Sequence, residues 1–537
     1  MSESSNQRPR LLFLSGPHDH LEPLRLVGLI DPVTRWLDYH FDLTVLPGDQ
    51  DYEMVVSEHR PDIVMFDSGA DSFKGRYPVY SNTDAHPDVP KVGFVRNDFH
   101  SPMRLNSFGR MEQWGVHTFF SPSFPVKGAP SAFRDRTIFV PRWVDDEIFK
   151  DYQEDKSVPV SMLGAGFLSS DFYPWRRRIS QKIVQYFPFF HAPRPMPRPH
   201  MVVGENYGRM INRSHFVVGC GGASRSLVSK LFEIPGARSI LVTEGTEIVK
   251  DAGFVDGENC IFTDEDGVVE RIEHLLAHPD ELDALTERGF RFIHDNHSHR
   301  NRTQVREWLA LYHTLGSDQR IVQTSISKPL EIIGATETQT EFVPFEDTTV
   351  STGVTGGFGL LESGEIEAAV RTFEKMLSTY HYMFEPHLGI GIAKLCQGKL
   401  TDAVVRFAQN INNQNTFHCR VEDPVNQAYM ALTFLCAGDY RNAAKYARRQ
   451  PEVRHPLLQV VRWMISLVDH SVADEIVFNE AVDDDTINLN TLDPRSPRSF
   501  QGWSAHCVDI LKTSNQARVL EAVVSSGVLR HPVANAS

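Results

Sequence analysis

The sequence predicts an α/β protein with two parallel-sheet domains followed by an all-α repeat domain. Three observations carry this. Between Ser229 and Arg300, short β-branched apolar runs alternate with helical periods, the pattern of a parallel sheet with crossover helices. Up to Phe66 the chain holds three further runs of the same kind. Beyond Leu360, Gly and Ala positions recur at a spacing of 34 residues, from Gly364 to Gly398.

The first domain is expected over residues 1–150. Its strand signals are Arg10 to Ser15 (RLLFLS), Phe41 to Leu46 (FDLTVL) and Pro61 to Phe66 (PDIVMF), with room for helices between them, which reads as Rossmann-like. Gly16 follows the first strand, and His18 and His20 stand in the turn GPHDH. In Lys91 to Arg104 (KVGFVRNDFHSPMR), Asp98 and His100 fall just past a strand's carboxyl end, where such sheets hold their ligands. A histidine there can take a proton from a hydroxyl, with Asp98 setting its tautomer or acting as the base. An Asx-turn that caps the loop is the competing reading.

The second domain is expected over 151–315. Val158 to Gly166 (VPVSMLGAG) supplies its first strand, and Gly164 and Gly166 allow close backbone approach to a ligand. The segment HFVVGCGGASRS runs from a strand into a Gly-rich loop. Backbone N–H groups of Gly219, Gly221 and Gly222 and the positive end of the following helix suit an anion, with Arg225, Ser226 and Ser229 holding phosphate oxygens. Ser229 to Glu233 reads as a short helical turn stopped by Pro235 and Gly236. Strands follow at Ser239 to Thr243 (SILVT) and Asn259 to Thr263 (NCIFT), then a helix with i, i+3, i+4, i+7 apolar spacing at Gly267 to Ala277. Lys230 and Glu233 share one helix face. A carboxylate there can accept hydrogen bonds and an ammonium can meet an anion; an ordinary surface pair is the alternative.

These residues carry a resemblance. The strings KLFEIPGARSILVTE, GFVDGENCIF, LLAHPDE and RGFRFIHDNHSHRNR resemble the C-terminal half of GT-B glycosyltransferases, closest to the CgeB-like branch allied to the GT4 clan. The resemblance implies a nucleotide diphosphate sugar as donor substrate, no other cofactor and no metal. It implies that Glu233 binds the donor ribose, and that the acceptor sits in the first domain. Val140 to Phe149 (VPRWVDDEIF) resembles the stretch that joins the two halves, and YPWRRR at Tyr173 to Arg178 resembles a helix start from which an arginine, here Arg178, reaches toward phosphate. A surface basic helix start is the alternative for that run. The helix around Thr303 to Leu315 is expected to return to the first domain. Clan membership implies retention at the anomeric carbon. GT4 enzymes usually carry a second glutamate eight positions before the ribose one; here Arg225 stands there, so that role is not carried over.

Composition sets bounds. A chain of 537 residues with 41% hydrophobic and 23% charged residues is ordinary for three or four soluble domains. A net charge of −15 argues against general nucleic-acid binding. No apolar run approaches the ~20 residues of a membrane span, and MSESSNQRPR lacks a signal-peptide core, which reads as cytoplasmic. Six scattered cysteines (Cys220, Cys260, Cys396, Cys419, Cys436, Cys507) read as reduced core residues.

Residues 316–355 are rich in Thr, Ser and Gly and read as a linker or partly extended strap. Tetratricopeptide (TPR)-like repeats are expected over 356–470, with Gly364, Gly398 and Gly438 and then Ala369, Ala403 and Ala443 as small residues that let helices approach. Phe373 and Phe407 fill the core. The second spacing, Gly398 to Gly438, is 40, which places an insertion near Arg420 to Pro424. Residues 471–537 are expected to cap the array, and VDDDT at Val482 to Thr486 is a polar loop rather than a metal site.

Two functions compete. The first is a glycosyltransferase whose repeats dock a protein acceptor or partner. The alternative is a catalytically degenerate GT-B scaffold used as an interaction module. A homodimer fits either, since repeat arrays often pair.

Overall fold

Alternating apolar runs assemble the first sheet. The computed structural model describes residues 8–16, 31–68, 78–96, 104–123, 135–164, 172–192, 204–326, 328–337, 348–416, 423–449, 455–469 and 500–526. Its strands are β1 (Arg10–Ser15), β2 (Asp42–Pro47), β3 (Gln50–Asp51), β4 (Ile63–Asp67), β5 (Tyr80–Ser81), β6 (Lys91–Phe94), β7 (Thr118–Ser121) and β8 (Thr137–Phe139). Six of them form one parallel sheet in the order β2-β1-β4-β6-β7-β8, while β3 and β5 make a separate short pair. Leu11 and Phe13, like Ile63 and Met65, are two residues apart and share one face, where they bury with Trp36 and Leu37 of helix α1 (Asp31–His40). Helices α2 (Tyr52–His59) and α3 (Arg104–Gln113) follow β3 and β6 in the chain.

The second sheet contains β9 (Val158–Leu163), β10 (Phe189–Ala192), β11 (Ser214–Val218), β12 (Ile240–Thr243) and β13 (Ile261–Phe262), all parallel, in the order β10-β9-β11-β12-β13. Its helices are α4 (Pro174–Ile183), α5 (Gly204–Asn212), α6 (Ser229–Gly236), α7 (Glu247–Asp251), α8 (Val268–Ala277) and α9 (Pro279–Asn296). Trp175, Ile179 and Ile183 of α4 pack with Ile272 and Leu275 of α8 and with Val160, Phe216 and Val242 of the sheet.

One local expectation fails. Pro235 and Gly236 do not stop the helix after Glu233; both lie inside α6, and the turn continues because Ala237 N–H donates to Glu233 O at 3.0 Å. A proline near a helix end removes one N–H without ending the last turn, and the reversal comes at Arg238, in the left-handed region (φ +58). Gly236 is needed for packing: a Cβ there would lie 2.7 Å from Val144 Cγ2.

The chain leaves the first sheet at 140–144 and returns at 297–303, and these two crossings pair through Val144 and Ser298. Arg302 clamps them. It is buried, its Nε donates to Pro141 O at 2.7 Å and its Nη2 to Arg142 O at 2.9 Å and to His297 Nδ1 at 2.8 Å, while Trp36 Nε1 donates to Arg302 O at 2.7 Å. Helix α10 (Gln304–Tyr312) then buries Val305, Trp308 and Leu309 in the core of the first sheet.

The segment expected as a linker or partly extended strap contains two strands. Strands β14 (Gln319–Val322) and β15 (Glu331–Gly334) form an antiparallel hairpin, and Gln323 brackets edge strand β8, accepting from Phe139 N–H at 2.8 Å and donating to Phe139 O at 2.9 Å. That side-chain amide acts as one more rung of the ladder, a contribution that Thr and Ser composition does not reveal. Helix α11 (Thr348–Glu362) also starts inside 316–355.

Two compact units divide the described residues. The first, within Met1–Phe99, Gln113–Lys127 and Arg134–Thr348, holds both sheets; the second lies within His100–Glu112, Gly128–Phe133 and Thr349–Ser537. The second contains α11, α12 (Ile366–Thr379), α13 (Phe384–Cys396), α14 (Leu400–Thr416), α15 (Pro424–Cys436), α16 (Tyr440–Ala447), α17 (Pro456–Ser466), α18 (Phe500–Thr513) and α19 (Ala517–Ser525). Phe373 and Phe407 are fully buried, as are Ala369, Ala403 and Ala443. The glycines play another part than expected. Gly364, Gly398 and Gly438 have φ of +80, +70 and +73 and form the turns after helices, which is a left-handed conformation and not close approach. Close approach falls to Gly357, Gly389 and Gly391, where an added Cβ would lie 2.4, 2.2 and 2.4 Å from the ring of Phe373 or Phe407. The extra residues between α14 and α15 and the VDDDT loop lie outside the described residues. Five cysteines are free thiols, four of them buried; Cys419 is outside the described residues.

Candidate active site

Where the strand order of a parallel sheet reverses, the loops beyond neighbouring strands diverge and leave a crevice. In the second sheet that point lies between β9 and β11, because β10 sits on the other side of β9. Lys230 spans it. Its Cγ stands 3.4 Å from the position a Cβ would take on Gly219, beyond β11, and its Nζ 2.6 Å from that position on Gly164, beyond β9. Gly164 adopts φ +119, which L side chains rarely occupy, so both its conformation and its lack of a side chain serve the ammonium.

One turn further along α6, Glu233 accepts from Tyr207 Oη at 3.5 Å. Burial raises the Glu233 carboxyl above its ordinary range, opposed by the charges of Lys230 and Arg142 and by the Tyr207 bond. Burial also pushes the Tyr207 hydroxyl well up, helped by the Glu233 charge. Arg142 comes from the crossing segment, and its Nη2 donates to Ser123 Oγ beyond β7 at 3.2 Å. It thus ties the edge of the first sheet to the field around Glu233.

The loop after β11 is folded on itself. A Cβ on Gly221 would lie 2.3 Å from Ser226 O, one on Gly222 (φ +71) would meet Phe172, and Ser224 Oγ donates to Gly221 O at 3.0 Å. Intramolecular packing therefore explains these two glycines. The expectation that Gly219 offers its N–H to an anion is not met, since that group donates to Val242 O at 3.0 Å and extends the sheet. A one-turn 3₁₀ helix, Gly222–Ser224, intervenes before Ser229 opens α6, and Arg225 ends it in the left-handed region (φ +49), exposed.

The basic helix start divides its labour. Arg178 is exposed and its Nε donates to Glu265 Oε1 at 2.8 Å. Arg176 is the inward one: it is buried, lies 4.2 Å from the centre of the Tyr173 ring, and its Nη2 donates to Cys220 O at 2.9 Å.

In the first sheet the order reverses between β1 and β4. Gly16 is buried beyond β1, while Asp67 at the end of β4 receives a two-point bond from Arg96, Nε to Oδ1 and Nη2 to Oδ2, each at 2.9 Å. Asp98, His100, His18 and His20, together with Gly166, lie outside the described residues.

Sequence reading missed Tyr207, Arg142, Arg176, Asp67 and Arg96. Arg176 left a signal: it sits beside Trp175 and four before Ser180, on the stripe that α4 buries. Tyr207 left none, because its partner is 26 positions away. Among the described residues no group of three or more His, Cys, Asp or Glu is placed to hold a metal, and no helix is long and apolar enough to cross a membrane.

Among solved structures the chain is similar to Anabaena HepE in complex with UDP and glucose, at 10% identity over 57% of this chain and 100% of that one, with a TM-score of 0.34. It is likewise similar to sucrose-phosphate synthase from Thermosynechococcus elongatus, at 8% identity over 57% and 100%, with a TM-score of 0.35. The S. aureus MnaA–UDP structure matches at 11% identity over 57% and 98%, with a TM-score of 0.31. No curated protein matches the sequence. Residues 153–310, which contain β9 to β13, Lys230 and Glu233, match the family model described as glycosyl transferase-like.

Proposed function

We propose that the protein is a GT-B glycosyltransferase that moves a sugar from a nucleotide diphosphate donor to a hydroxyl acceptor. The observation that carries this is Lys230, whose ammonium bridges the crevice of the glycosyl transferase-like domain with Glu233 one turn away. Glu233 accepts from the ribose hydroxyls, and Lys230 meets the diphosphate. In the reaction the bond from the anomeric carbon to the β-phosphate oxygen breaks and one to the acceptor oxygen forms. With retention, the leaving diphosphate takes the acceptor proton on the same face, and Lys230 stabilises the charge that develops on it. Were the outcome inversion, Asp98 or His100 would be the base.

The acceptor half is the first sheet, with Gly16 just beyond β1 and His18 and His20 following it in the sequence. We read the helical repeats as tetratricopeptide-like and as the dock for a protein acceptor or partner; their turn glycines at +80, +70 and +73 and buried Phe373 and Phe407 support a repeat. The chain is read as cytoplasmic, metal-independent and able to dimerise.

The test is calorimetric titration of the full chain with UDP, GDP, dTDP, ADP and CMP, alongside Glu233→Ala. Micromolar binding of one nucleotide that the variant loses supports the donor site. Absence of binding to all of them favours the scaffold reading.

A further inference from the structure

Alternate helices of the helical unit, α13, α15 and α17, touch one another in turn, and α18 lies across all three. Its first residue, Phe500, meets Trp463 of α17 with ring centres 5.6 Å apart. Further along, His506 Nε2 and Tyr429 Oη of α15 share a hydrogen bond at 3.0 Å. At the far end a Cβ on Gly398, just after α13, would stand 3.6 Å from Thr513 O, and Gln516 Nε2 donates to Cys436 O at the end of α15 at 2.6 Å. A helix that closed the end of the array would cover α17 alone; this one reaches back over two earlier helices.

The fit is that of an amphipathic helix on an apolar face. Trp503, Cys507, Ile510 and Leu511, spaced i, i+4, i+7 and i+8, are buried, while Gln501, Ala505, Asp509 and Lys512 are exposed. On the receiving side every residue of α15 except Phe434 is buried. Tyr429 spans that layer: its ring stacks on Phe407 of α14 with centres 6.0 Å apart, while its hydroxyl meets α18. The contact is therefore a stripe of apolar anchors around one polar bond, the arrangement by which a helix is recognised in a groove.

Two features make α18 separable from the core beneath it. At 14 residues, with Gly502 inside it, it is too short and too poor a helix former to stay helical away from that face. Residues 467–499, between α17 and α18, are enough chain for it to leave without unwinding α17. Resting on the reading of the helical unit as a dock, we propose that the face of α13, α15 and α17 takes an amphipathic helix of a partner protein, and that α18 is its built-in occupant, which the partner displaces. Such a partner helix carries an aromatic anchor, apolar residues four, seven and eight positions later, and a polar group that reaches Tyr429 Oη.

The experiment adds a fluorescent peptide of residues 500–516 to the full chain and reads anisotropy. Wild type holds its own α18 at high effective concentration, so it should bind the peptide about tenfold or more weakly than Trp503→Ala or Ile510→Ala, whose α18 has lost an anchor. A peptide that itself carries Trp503→Ala should lose binding to both variants. In wild type, amide hydrogen exchange should be faster in α18 than in α15, because α18 leaves while the helices beneath stay folded; should either variant fail to fold, this measurement decides. Folded variants that bind the peptide no better than wild type, or an α18 protected as strongly as α15, overturn the proposal. A partner that docks on α12, α14 or α16 is not displaced by the peptide, so the docking reading can hold where this proposal fails.

Discussion

The ammonium of Lys230 rests against Gly164, which belongs to a different strand end, and the two residues close the crevice between β9 and β11 from opposite sides. A methyl at position 164 would fall 2.6 Å from Lys230 Nζ, in a backbone conformation at φ +119 that already excludes most side chains.

Gly164→Ala should therefore expel the ammonium. We expect donor affinity to fall at least tenfold, together with a loss of about 1–3 kcal/mol in stability from the strained backbone. Calorimetry and denaturant titration read the two effects separately. Unchanged affinity would remove Lys230 from the site.

Tyr207 tunes Glu233. Donor binding through the ionised carboxylate should weaken as pH falls through a Glu233 pKa that burial has raised, since protonation removes the acceptor. The Tyr207 bond opposes that rise, so Tyr207→Phe should shift the loss of binding to higher pH, and Glu233→Gln should make it flat. Nucleotide affinity measured across the weakly acidic range checks both slopes.

Turnover separates the two residues of α6. Glu233→Ala should raise the donor KM with kcat little changed, because it removes ground-state contacts, and Lys230→Ala should depress kcat as well as weaken donor binding, because it meets the diphosphate in the ground state and also acts on charge that forms in the transition state. Steady-state kinetics with both variants normal would dismiss the assignment.

The crossing of the two chain segments is a point of acid sensitivity. Burial, and then the Arg302 charge, depress the His297 ring to about 3. Between the ordinary histidine value and about 3 the unfolded chain binds a proton that the folded one refuses, so stability is complete above the ordinary value and declines as pH falls, by up to about 1.4 kcal/mol per pH unit. His297→Gln should reduce that slope. Arg302→Met, which strands several carbonyls and His297, should cost about 1–3 kcal/mol for each buried acceptor left without a donor at neutral pH. Urea melts at several pH values distinguish the two.

In the helical unit, position decides what a glycine is for. Gly389→Ala drives a methyl to within 2.2 Å of the Phe373 ring and should cost about 1–3 kcal/mol by overpacking. Gly359→Ala, in α11 with open space around it, should instead stabilise by about 0.5–1 kcal/mol. Thermal melts of the two single variants should move in opposite directions.

Local pattern was enough for much of this architecture. SILVT and NCIFT became β12 and β13, because β-branched runs buried on both faces have few alternatives to a parallel sheet. Three-residue spacing alone puts Lys230 and Glu233 on one helix face. Composition did not announce the hairpin at 319–334, since its stabilising rung is one glutamine on the backbone of a strand 184 residues earlier.

The sequence by itself determined the parallel α/β sheets, the helical C-terminal region, and the placement of Lys230 and Glu233 on one helix face, because these follow from periods of two to four residues along the chain. Only the tertiary structure decided that Arg176 turns inward while Arg178 pairs with Glu265, that Tyr207 touches Glu233 and that Gly164 houses an ammonium. Those relationships join strand ends whose order in space differs from their order in sequence, as Arg302 joins Pro141 across 161 residues. Burial then sets the charge each group can carry, and burial is a property of the packed chain.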